Sequence, residues 1–171
     1  MIADPQARGR FVAEFYFRLE PALWQDLEGS RVLPSPLSAD ARHEWECFAL
    51  YACVRGLVAA GGFNVETVAA VDHLHDAVVE RWSAAVPASD APAHAALAAR
   101  RERVAARYAE YGRIGQELEA KGAALVTQRL GEAAAQHVSA TEPPSADLAT
   151  TLGDLHEALA EGAAEAVRES V

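Results

Sequence analysis

Two pairs of side chains suited to chemistry stand at helical spacing in an alanine-rich chain. Asp72 and His75 lie three residues apart in VDHLHDAVVERW, and His43 and Glu46 lie three apart in HEWE. Positions i and i+3 share one face of a helix. Each pair therefore sets a carboxylate beside an imidazole, an arrangement that serves acid–base work or metal ligation. Arg55 adds a third element. It is the only charge in residues 47–63, the longest apolar run. A lone buried charge costs several kcal/mol unless it is paired, so Arg55 needs a carboxylate. If the following turn centres near Gly62 and Phe63, position 55 faces about position 70, which brings Asp72 or Glu66 within reach. Position 75 then faces about position 50, beside Tyr51. Tyr51, Arg55, Asp72 and His75 form the candidate ligand-binding set. The same four residues also read as a structural network that fixes helix register. No catalytic role is assigned to any of them.

A metal site built from both pairs fails on level. His43 faces about position 82, seven residues from His75, or roughly 10 Å along the axis. No metal and no cofactor is assigned, and nothing around His75 marks a haem pocket. The chain carries no GxGxxG, P-loop, GxSxG, HExxH or CxxC motif. Cys47 and Cys53 are six apart on one predicted helix, about 9 Å of rise, beyond the roughly 7 Å that a disulfide spans. Burial as small apolar groups is expected for both. His43, four residues before Cys47, offers the alternative of an activated thiol.

The elements that position these residues are helical. Asp4 caps a first helix over 5–28, with Pro5 at its first turn and Pro21 expected to end or kink it. Phe11, Phe15 and Leu19 supply a helical stripe. Alternation over 11–19 also fits a strand, but no second strand is available to pair with it. Ser38 is expected to cap a helix over 39–60, stopped by Gly61 and Gly62. Asn64 caps the next, over 65–85, so 39–85 is an antiparallel hairpin. Ala52, Gly56 and Ala60 form a stripe that lets another helix approach closely. On the second arm Val68, Val71, His75, Val78 and Trp82 form the apolar stripe. Residues 91–121 and 123–139 are two further helices, bent or broken near Gly122. Leu97, Val104, Tyr111, Leu118 and Leu125 recur every seven residues along them, without a companion series that would make a coiled coil. Pro143 and Pro144 break the chain before a last helix over 146–169, capped by Ser145.

The fold expected is all-α: a single domain over 1–171, a bundle of five to six helices around the central hairpin. The 171 residues include 39 alanines and 14 arginines against one lysine, and the net charge is −10. An acidic surface repels phosphate backbones and anionic lipid, which argues against nucleic acid and membranes as partners. MIADPQARGR leads into no apolar stretch of the signal-peptide kind, and a cytoplasmic location follows by elimination. Residues 100–113 carry net +3 and residues 132–171 net −7, so the acidic last helix is expected along the basic fourth, within one chain or across a dimer. The function expected is non-enzymatic: a protein-binding or adaptor domain that forms a homodimer or other homo-oligomer. The alternative is a small-molecule- or metal-binding bundle, with enzymatic activity as an option, centred on Asp72 and His75.

Overall fold

The structure is a computed structural model that describes residues 4–169, so the outermost residues of the domain expected over 1–171 lie outside it. Six α-helices follow in order: α1 (Pro5–Gly29), α2 (Ala41–Gly61), α3 (Val65–Ala84), α4 (Ala91–Leu118), α5 (Ala123–Val138) and α6 (Ala146–Glu169). No strand occurs among the described residues, only an isolated bridge between Leu37 and Ser139. Among them, too, no helix is long and apolar enough to cross a membrane.

Local chemistry sets most of the helix ends. The Asp4 carboxylate accepts from the N–H groups of Gln6 and Ala7, at 3.3 and 3.0 Å. Asn64 accepts from Thr67 N at 2.9 Å, and Ser145 Oγ from Leu148 N at 3.1 Å. Each satisfies a donor that an α-helix leaves free at its start. Gly122 turns the chain between a short 3₁₀ turn and α5 at φ +105°, a conformation that glycine adopts without strain. Residues 11–19 are helical, not extended.

Two expectations about ends are corrected. Pro21 does not end α1, which runs on to Gly29. The missing proline N–H costs one bond, but the adjoining turn is anchored to α2: Arg42 holds the Glu20 carboxylate through both terminal nitrogens, and Trp45 Nε1 donates to the Glu20 carbonyl at 3.2 Å. Ser38 is not a cap. Its hydroxyl donates to the His137 carbonyl at 2.7 Å and its N–H to Val138 O at 3.0 Å. The free carbonyls at the end of α5 take both donors, and α2 begins at Ala41 instead.

Helix α2 is the centre of the bundle and packs against every other helix. Its run from Trp45 to Cys53 is sealed apart from half-buried Tyr51. The closest approaches are set where side chains are smallest. A Cβ at position 56 would stand 2.6 Å from the Ala160 carbonyl oxygen and 2.7 Å from Ala163 Cβ, so the stripe at 52, 56 and 60 is filled by α6. Likewise α3 lies closely along α1, at Gly9 against Ala70 and Leu74, and α5 along α6, at Gly131 against Ala149 and Gly153. The hairpin is continuous in the chain, while each of its arms packs its length on a different neighbour. This turns α3. Its buried residues are Thr67, Ala70, Leu74, Val78 and Trp82, and Val68 is 61 % exposed. The inward stripe lies about one residue round from the valine-rich one, because the approach of α1 requires alanine at 70. Helix α1 is turned in the same way, burying Val12, Tyr16 and Trp24 and leaving Phe11 exposed.

Candidate functional site

His75 stands at the edge of the inward face of α3, half-buried. Its Nε2 lies 3.0 Å from the Tyr108 hydroxyl of α4. Burial pushes the His75 pKa down, against the opposing fields of Asp72 and Asp76, so the ring is neutral near pH 7. Tyr108 stacks edge-on against Tyr51, with centroids 5.3 Å apart, and Tyr51 lies 5.4 Å from Tyr111. Burial raises the pKa of all three tyrosines, which stay protonated. His75 and Tyr51 are thus joined through Tyr108, a residue that local sequence offers only as a core aromatic.

The other two members of the predicted set lie elsewhere. Asp72 is exposed on α3 and forms no hydrogen bond or ion pair with the described residues. Arg55 pairs with Glu157 of α6 at 3.4 Å, and the same Glu157 oxygen accepts from Thr127 Oγ1 at 2.8 Å. The pairing expected with Asp72 or Glu66 fails for a geometric reason. Matching levels along a hairpin ignores the rotation of about 100° per residue around each helix, and residues at one level can face apart. Glu66 instead lies 3.7 Å from the buried Arg8.

A fully buried histidine escaped the sequence reading. His156 of α6 has no exposed surface and lies against Phe48, with centroids 4.4 Å apart. Neither ring nitrogen makes a hydrogen bond of good geometry, and the Phe48 backbone offers only a weak polar contact. Burial, reinforced by the Arg55 charge and only partly offset by the Phe48 backbone, lowers its pKa to about 3. Its signal was present: Leu152, His156 and Leu159 share helical spacing in an amphipathic segment. Cys47 and Cys53 are buried and free, and burial pushes both thiols up to about 12. His43 faces Asp40 at 3.8 Å. The activated-thiol alternative therefore fails, since a protonated thiol is a poor nucleophile. Among the described residues no group of three or more His, Cys, Asp or Glu side chains is placed to hold a metal ion.

Two depressions bear on the site. Between α3 and α4 a cleft of about 340 Å³ is lined by Leu50, His75, Val78, Trp82, Val104 and Tyr108, with Asp76 and Arg101 also contributing. Between α5 and α6 runs an open groove of about 880 Å³, floored by Ala124, Ala149 and Gly153 and bearing Glu132, Asp154 and Glu157.

Within one chain, the charges around this groove differ from expectation. Helix α4 does not touch α6 among the described residues. Three of its arginines are used on α2 and the residue before it: Arg100 holds Glu46 at 2.6 Å, Arg103 holds Asp40 at 2.8 Å and Glu44 at 3.3 Å, and Arg107 Nη2 reaches Glu44 at 2.9 Å. Glu44 and Glu46 are buried, and burying their charges without these partners would cost several kcal/mol. Four acids of α6 are left over. Asp147, Asp154, Glu161 and Glu165 are exposed and make no ion pair with any described residue. No protein-family model, curated protein or solved structure matches the chain.

Proposed function

We propose that this protein is a non-enzymatic interaction module whose α5–α6 groove receives a basic helical segment of a partner protein. One observation carries the reading: Arg100, Arg103 and Arg107 of α4 are consumed by the buried Glu44 and Glu46 of α2, and Asp147, Asp154, Glu161 and Glu165 of α6 face solvent unneutralised, with Asp154 lining an open groove. The alanine and glycine floor admits a close helix backbone, and the flanking acids suit lysine or arginine on its edges. A second copy of the chain is the poorer occupant, because two molecules of net charge −10 repel at this face.

The test uses a fluorescein-labelled helical peptide of alternating alanine blocks and lysines, followed by anisotropy. Binding should weaken with salt. Reversing Asp154 and Glu161 to lysine should lower affinity about tenfold, the sum of two lost attractions and two new repulsions. The control reverses Asp26 and Glu28 on α1, which changes net charge equally far from the groove. Equal losses in the two double variants would show attraction to bulk charge and remove the groove from the argument.

A further inference from the structure

We infer that the α3–α4 cleft is a separate small-molecule site, taking one compact, uncharged hydrophobic molecule that presents a hydrogen-bond acceptor to His75 Nδ1. The site shares no residue with the α5–α6 groove and stands or falls apart from it. Its volume of about 340 Å³ lies at the lower end of the range of about 300–1,000 Å³ for ligand pockets. Helices α3 and α4 meet only lightly. Trp82, His75 and Tyr108 hold them apart and leave an apolar slot with few polar groups, the usual make-up of a small-ligand site.

The polar groups specify the ligand. Tyr108 is half-buried and its hydroxyl has one partner, His75 Nε2, at 3.0 Å. A phenol O–H is the stronger donor and an unprotonated imidazole nitrogen the stronger acceptor, so this pairing is favoured over a ring N–H donating to the phenol oxygen. The Tyr108 O–H is therefore the donor, which assigns the imidazole hydrogen to Nδ1. Nδ1 makes no hydrogen bond with the described residues and is not among the sealed polar atoms, so an N–H donor is left for a carbonyl or ether oxygen. Asp76 and Arg101 both line the cleft, both exposed and neither ion-paired with a described residue. Their opposite charges cancel and select neither a cation nor an anion. Arg100 is not available to a ligand, since it lies 3.6 Å over the Trp82 ring and pairs with Glu46.

The probe is Prodan, an uncharged naphthyl ketone whose emission shifts to the blue on leaving water. The whole protein should give a saturable blue-shifted signal at one equivalent. Val104→Trp fills the slot from a half-buried wall and Ala105→Trp from an exposed position that leaves the core untouched. Either should weaken binding at least about tenfold. His75→Leu should weaken it about two- to tenfold, the worth of one hydrogen bond, without changing the stoichiometry. The lysine reversals at Asp154 and Glu161 should leave it unchanged. A signal that does not saturate, or equal affinity in Ala105→Trp and the natural protein, overturns the site. Equal affinity in His75→Leu overturns the assignment of its donor.

Discussion

His156 makes the stability of this bundle depend on pH in a window set by one ring. In the unfolded chain the imidazole takes up a proton near pH 6.5, and in the folded protein only near pH 3. Between these values the proton binds the unfolded chain in preference, so stability present above pH 6.5 is lost as pH falls toward 3. Each unit in the window costs about 1.4 kcal/mol. From pH 7.5 to pH 5.0 the loss from this residue is about 2 kcal/mol, a substantial fraction of the 5–15 kcal/mol typical of a domain. His156→Leu removes the proton site while keeping a side chain of similar bulk, and at pH 7.5 it should shift stability by less than about 1.5 kcal/mol. Urea unfolding of both proteins at pH 7.5 and 5.0 isolates the effect, because the carboxylates and His75 titrate in both. The natural protein should lose about 2 kcal/mol more than the variant over this interval. Equal losses would mean that the ring is reached by water or that the Phe48 backbone holds its proton, and would refute the account of it as a sealed base that burial keeps neutral.

Gly56→Ala places a methyl group 2.6 Å from the Ala160 carbonyl oxygen. It should destabilise by about 1–3 kcal/mol in chemical denaturation, although alanine is the better helix former; a stabilised variant would mean that α2 and α6 separate freely. Glu44→Ala strips Arg103 and Arg107 of a shared buried carboxylate and should cost about 2–3 kcal/mol, at or below the lower end for breaking a buried pair because both arginines are partly solvated. Its hydrogen-exchange signature should be loss of protection concentrated in α4, whereas uniform loss along the chain would contradict the α2–α4 seam.

What could be read in the chain divides by range. Caps at Asp4, Asn64 and Ser145 were legible because a cap is a bond between residues two or three apart. The break near Gly122 and the close approach at Gly56 were legible for the same reason: backbone freedom and side-chain size belong to the residue itself. Ser38 misled because its chemistry equally suits the carbonyls at the end of α5, a partner 99 positions away. Arg55 was rightly seen to need a carboxylate, but the choice among Glu66, Asp72 and Glu157 depends on helix rotation, which periodicity on a hydrophobic chain leaves open by a residue. His75 was singled out beside Asp72, while its actual partner, Tyr108, lies 33 positions on. The charge blocks were visible, yet their pairing followed burial: Glu44 and Glu46 sit in the core and claim the arginines ahead of exposed acids on α6.

The seam between α2 and α4 also bears on the order in which the bundle can form. Glu44 meets Arg107 across 63 positions, and Arg55 meets Glu157 across 102. The central helix therefore cannot pair its buried carboxylates until α4 is present, or close its small-residue face until α6 follows. Loop closure over such distances precedes the contacts that reward it. Helices α1 to α3, emerging first, hold a central helix with charged and bare faces. The later helices act as the completing half of the core, and the bundle reaches its stable form only when both ends of the chain have met at α2.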